Sequence, residues 1–128
     1  MTEVVHTVRT EAAPAAIGPY SQAAAAGQFV FVSGQIPLDP STGEMVAGAF
    51  RDQVERVLAN LDAILQAAGS SRSHVVKVTV FVTSMAKFSE LNEVYAGFFG
   101  DHRPARAVVE VSALPRGAQV EIEAVALR

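Results

Sequence analysis

From Phe50 to Leu65, apolar side chains recur with a period that only an α-helix can gather on one side. Phe50, Val54, Val57, Leu58, Leu61, Ile64 and Leu65 stand at i, i+4, i+7, i+8, i+11, i+14 and i+15, while Arg51, Asp52, Glu55, Arg56 and Asp62 fall elsewhere. At 3.6 residues per turn this is one stripe, so the helix needs a single apolar surface to lie on. It is expected over Phe50–Ala68, with Gly69 as its C-terminal cap. The flanking segments say what that surface is. Runs rich in Val, Ile and Phe at Gln28–Ser33, Val75–Thr83, Ala105–Ser112 and Gln119–Leu127 are predicted strands, with a weaker one at Val4–Arg9 and a further one around Ser21–Ala25. A second helix is expected from Lys87 to Phe99, closed by Gly100, with Phe88, Leu91, Tyr95, Phe98 and Phe99 as its buried stripe. Two such helices over strands of this kind give an α+β, two-layer fold, a mixed six-stranded sheet covered by two helices on one face.

The chain has 128 residues, which fits one domain over 1–128. It contains no cysteine, so disulfides, thiolate metal ligands and a cysteine nucleophile are all absent. The N-terminal MTEVVHTVRTEAA carries acids and no secretory apolar core, and no run approaches the ~20 apolar residues of a membrane span. A cytoplasmic protein that does not enter membranes is the expectation. Net charge is −3 and the basic residues are scattered, whereas nucleic-acid affinity rests on clustered Lys and Arg. Nucleic acid is therefore not an expected partner.

Such a two-layer unit leaves one sheet face bare. On the last strand Val120, Ile122, Ala124 and Ala126 point one way, and Glu121, Glu123, Val125 and Leu127 the other. On the strand before it Arg106, Val108 and Glu110 oppose Ala107, Val109 and Val111. The bare face is thus expected to be apolar but charge-bearing, and self-association is the simplest way to cover it.

The candidates for chemistry are few. His6, His74 and His102 follow no ligand spacing, so no metal site is expected, and no phosphate-binding loop implies a cofactor. Ser33–Gly34 is not a nucleophile elbow. Arg106, in RPARAVVEV, is either a salt-bridged surface residue or a fork for a carboxylate or phosphate. Glu121 and Glu123 lie on one strand face roughly 6.6 Å apart, a spacing open to acid–base work or to pairing with arginine across a contact. Asn92 interrupts an apolar stripe, so it either props up a neighbouring backbone or faces a polar cavity. Tyr20 follows a Gly-Pro turn that holds its ring in place, for packing or for binding.

Five blocks then assemble in order: APAAIGPYSQA (Ala13–Ala23), VSGQIPLDPSTGE (Val32–Glu44), LNEVYAGFF (Leu91–Phe99), RPARAVVEV (Arg103–Val111) and LPRGAQVEIEAVAL (Leu114–Leu127). Along nearly its whole length the chain resembles the Rid/YjgF family, once called L-PSP endoribonucleases. The resemblance implies a chorismate-mutase-like fold, a homotrimer with clefts at subunit interfaces, and hydrolysis of 2-iminopropanoate and 2-iminobutanoate to 2-oxo acids and ammonia without a cofactor. By match to the family pattern, Arg106 would hold the substrate carboxylate and Glu121 would position the attacking water. Tyr20, Ser33, Gly34 and Asn92 would line the pocket, and the Val108 backbone would touch substrate. Many members have cysteine where this chain has Val108, and the GDHRPA segment is short relative to some members. The alternatives are the older endoribonuclease or translation-inhibitor activity, and a non-enzymatic trimer that binds a small ligand.

Overall fold

The computed structural model describes residues 4–128. The elements run β1 (Val5–Val8), β2 (Ala23–Ala26), β3 (Phe29–Gln35), α1 (Phe50–Ala67), β4 (Val75–Val82), α2 (Phe88–Phe99), β5 (Ala105–Glu110) and β6 (Val120–Leu127). They form one six-stranded sheet in the order β1-β2-β3-β6-β4-β5, with two helices on one face, as expected from the sequence. β1, β2 and β3 are an antiparallel meander. β6 slots between β3 and β4, antiparallel to both, and only β4 and β5 run parallel, joined through α2 as a parallel pair requires.

The core lies between helices and sheet. Val54, Val57, Leu58, Leu61, Ile64 and Leu65 of α1 and Leu91 of α2 meet Val30, Val78, Val80, Val120, Ile122 and Ala126, all at most 1% exposed. Each such aliphatic side chain contributes about 1.5–3 kcal/mol by burial. α1 starts with Asp52 Oδ2 accepting the Ala49 N–H at 3.0 Å. It ends in a Schellman turn: Ser70 N–H bonds Leu65 O at 2.8 Å and Gly69 N–H bonds Gln66 O at 3.1 Å. Gly69 takes φ 80, the left-handed conformation that a side chain resists.

Boundaries shift by a residue or two from those the sequence suggests. β3 runs on through Ser33 and Gly34 to Gln35, past an irregularity in its pairing with β6 between Val32 and Gln35. The stripe of α2 also differs. Val94 is buried within it, whereas Phe88 is 39% exposed and Phe98 is only half-buried, its ring covered by the Arg72 guanidinium at 4.1 Å.

The second sheet face is bare and carries exposed Phe29, Phe31, Val109 and Leu127 together with the carboxylates of β6. On β5 the sequence separates two faces without saying which is covered, and the register decides it. Arg106 is registered with Val78 and Val108 with Val80, both fully buried, so Arg106 and Val108 turn toward the helices. Ala107 and Val109 face the bare side. The reason is partnership: on the helix side Arg106 meets Asn92, and the Glu110 carboxylate accepts the Met85 N–H at 2.7 Å.

Candidate active site

The side chains singled out by the sequence gather in two clusters. The first is built by α2 against the edge strand β5. Phe88, Asn92 and Tyr95 stand at i, i+4 and i+7, so one helix face presents ring, amide and ring to the half-buried Arg106. Arg106 Nη1 donates to Asn92 Oδ1 at 2.8 Å. The guanidinium carbon lies 4.8 Å from the Tyr95 ring centre and 5.7 Å from that of Phe88. Both lie within cation–π range. No ion pair of Arg106 occurs among the described residues. The salt-bridged surface residue is thus not what forms, and Asn92 braces a side chain rather than a backbone. With one of its five N–H donors engaged by Asn92, the fork retains donors for an anion. Val108, two residues along, packs partly against the core beside it.

The second cluster sits on the opposite face. Glu121 is registered with Phe81 on the bare side of β6 and is half-buried. Its side chain lies against the Gly34 backbone so closely that a Cβ there would stand 2.8 Å from Glu121 Cδ and 3.1 Å from Cγ. Any other residue at this position would displace the carboxyl. Burial pushes the Glu121 carboxyl above its ordinary range, and the charge of Glu123 pushes the same way.

Tyr20 is exposed on the loop leading to β2, and two devices hold that loop. The buried Gln22 amide accepts from Thr10 N at 2.7 Å and donates to Thr10 O at 3.0 Å, Ala13 O at 3.3 Å and Pro14 O at 2.8 Å. Ser33 Oγ donates to Ser21 O at 2.6 Å, and Ser33 N–H bonds Gln22 O at 2.9 Å. The Ser33 proton is spent on the loop, which leaves its lone pairs free.

Arg106, Asn92 and Val108 therefore come together, as do Glu121, Gly34, Ser33 and the Tyr20 loop, but the two groups lie on opposite faces of one sheet. The histidines join neither group. His102 Nε2 contacts Val75 O at 2.7 Å, and His74 Nδ1 contacts Ser71 Oγ at 2.7 Å. Among the described residues no group of three or more His, Asp or Glu is placed to hold a metal ion.

Sequence reasoning missed the aromatic supports of Arg106 and the role of Gln22. The signal for the first was present, because Phe88, Asn92 and Tyr95 share the helical spacing that marked Asn92 as out of place. The Tyr95 hydroxyl is buried without a hydrogen-bond partner, and burial raises its pKa against the opposing charges of Arg106 and Arg103.

A family model described as Endoribonuclease L-PSP matches residues 10–128. A RutC family protein of Pyrococcus horikoshii is 54% identical over 128 residues, covering 100% of this chain and 99% of the relative. A 2-iminobutanoate/2-iminopropanoate deaminase of Mus musculus is 46% identical, covering 100% of this chain and 96% of the relative. Among solved structures, a putative endoribonuclease of Thermotoga maritima superposes with a TM-score of 0.94 at 58% identity, covering 96% of this chain and 97% of that one.

Proposed function

The chain belongs to the Endoribonuclease L-PSP family, the Rid/YjgF group that includes named imine deaminases, and from that membership we propose that it hydrolyses 2-imino acids such as 2-iminopropanoate and 2-iminobutanoate to 2-oxo acids and ammonia. One observation supports this reading most: Arg106 is a half-buried guanidinium held by an amide and two rings, with no carboxylate partner among the described residues. A planar fork kept in that way suits a substrate carboxylate.

The reaction then asks little more. The imine carbon is already electrophilic, so water must be oriented and its proton accepted. Glu121 takes one water proton as oxygen bonds to carbon and passes it to the imine nitrogen, giving a carbinolamine; it then takes the hydroxyl proton as the carbonyl forms and passes it to nitrogen as the carbon–nitrogen bond breaks. Carbonyl and ammonia are the products. The raised pKa of Glu121 brings it nearer to neutrality, where such an exchange is easiest.

Fork and carboxyl lie on opposite faces of one sheet, so they serve one substrate only if a second copy brings its Glu121 face to the Arg106 edge of the first. A homotrimer with a site at each contact meets that need and covers the exposed Phe29, Phe31 and Val109. RNA fits less well, since the bare face carries Glu121 and Glu123 where phosphate binding wants Lys and Arg.

The test couples a 2-imino-acid-generating dehydratase to the purified protein, dialysed against a strong chelator. 2-Oxo acid release should exceed that of a no-protein control at equal dehydratase flux. Equal release with and without protein would refute the reading, and activity restored only by added metal would refute its cofactor-free form.

A further inference from the structure

Beside Gly34 and Tyr20 the loops leave a hollow of about 270 Å³, walled by Pro14, Ile17, Ile36 and Leu38. Among the described residues that line it, one carries a charge: Arg116. The carboxylates of this half of the site oppose an anion. The Glu121 carboxyl lies behind Gly34, Glu123 shares its face, and the chain as a whole carries −3. A substrate carboxylate approaching from this side meets like charge before it can reach any fork.

Arg116 also stands where the backbone gives no reason for an arginine. In the Pro115–Gly117 turn between β5 and β6 it takes φ 58 and ψ 24, and it is the single non-glycine residue with positive φ among the described residues. That region favours Gly, Asn or Asp over a long side chain. Residues held there cluster at functional sites, where surrounding contacts enforce them. One such contact is visible: Arg116 Nη1 donates to Gly43 O at 2.9 Å, which ties the guanidinium across to the Asp39–Gly43 turn. Among the described residues its other N–H groups have no partner, and the residue is exposed.

We propose that Arg116 is a specificity-determining residue that draws the anionic substrate through the Tyr20–Gly34 hollow toward Glu121. This rests on the 2-imino acid reading above and adds to it a second cation, in the turn between β5 and β6 rather than on β5 with Arg106. An exposed cation at a mouth raises the local concentration of anions and their rate of entry, and salt screens it. Arg106 fixes the carboxylate after arrival, whereas Arg116 governs arrival.

Arg116→Asn tests this, because Asn tolerates the left-handed backbone while losing the charge. At about 0.01 M ionic strength, where charges act over ~30 Å, kcat/KM should fall about threefold to tenfold with kcat unchanged. Near 1 M salt, where the range is about 3 Å, variant and parent should converge. Arg116→Lys should stay close to the parent at both. Arg116→Gly, which relieves the backbone, serves if the Asn variant folds poorly. A variant equal to the parent at low salt overturns the proposal, as does a loss that persists at high salt or appears in kcat. The dissociation constant of 2-oxobutanoate, measured on the same proteins, separates this proposal from the activity itself. If the parent turns over no imine but binds this anion, the function reading fails. Salt-dependent weakening in Arg116→Asn then still supports the entry role, and equal affinities overturn it. If the parent binds no 2-oxobutanoate, both fall.

Discussion

Replacing Arg106 by alanine should separate recognition from folding more cleanly than any other change in this molecule. A carboxylate held by the guanidinium makes two charge-assisted hydrogen bonds, each worth about 1.5–3 kcal/mol. Their loss corresponds to about two to four orders of magnitude in kcat/KM. The cost to the fold is much smaller. Within the chain Arg106 gives up one hydrogen bond to a half-buried Asn92 and its place over the Tyr95 ring. Water can reach the freed amide, so about 1 kcal/mol is expected, a fall of about 3–6 °C in Tm for a chain of this size. Arg106→Lys should recover part of the activity, because an ammonium keeps the charge but not the planar fork. The assay is dehydratase-coupled 2-oxo acid release, with Tm and oligomer mass taken from the same preparation. A well-folded Arg106→Ala protein with near-native turnover would refute the carboxylate-clamp assignment. Activity lost only in proportion to unfolded protein would make the residue structural.

Two further outcomes follow from the placement of Glu121. Arg106→Ala and Glu121→Gln should each be inactive alone, yet equal amounts co-refolded should regain about one quarter of the parent activity, because in a cyclic assembly one contact in four pairs an intact fork with an intact carboxyl. No recovery in mixed oligomers of about three times the 13.5 kDa chain mass would rule out a shared site. Because the folded-state pKa of Glu121 is raised, its ionised form opposes folding, and the protein is stabilised below the unfolded value and loses that stability as pH rises through the folded one. Glu121→Gln should therefore raise Tm at pH 7 relative to the parent, with the gain vanishing toward pH 4. An unchanged difference across that range would contradict the shift.

The fold was legible because most of its elements carry unambiguous periods. The α1 stripe is apolar but for Gln53 and Asn60, and the first half of β6 alternates Val and Ile with Glu, so composition decides the buried side of each. β5 lacks that contrast. By hydrophobicity Ala107, Val109 and Val111 look like its core side, yet the chain turns Arg106, Val108 and Glu110 toward the helices. A period of two cannot tell one face from the other when both are mixed, and partners on another element decide it. The same limit applies to Gln53 and Asn60, which interrupt the α1 stripe as buried polar residues. Gln53 Oε1 accepts from Gln119 N at 3.1 Å, and Asn60 Nδ2 donates to Leu38 O at 3.0 Å. They pin loops to the helix, a role set by tertiary neighbours that no local pattern records. Phe88 errs the other way: it keeps the helical spacing of a core residue but serves as the outer ring beside Arg106.

The candidate side chains stood out one by one in the sequence, but neither their grouping into two clusters nor the division of those clusters between two faces was readable from the chain. That division has a chemical consequence. The Arg106 side of the sheet offers a fork, an amide, two rings and the isopropyl group of Val108. None of these accepts a proton readily at neutral pH; the buried Tyr95 phenol is raised and so held neutral. The Glu121 side offers the reverse, a carboxyl with an elevated pKa and, at Gly34, room made for it by a missing Cβ, but no fork. In the proposed reading, recognition is thus built on one face and proton transfer on the other. With no thiol at position 108 to supply a base locally, a chain that bound its substrate at Arg106 alone would hold it without a group to activate water. In the proposed reading, the contact that buries Phe31 and Val109 is therefore also the step that creates the enzyme. A change that loosens this contact, far from either charged group, should lower activity before it lowers the stability of the fold.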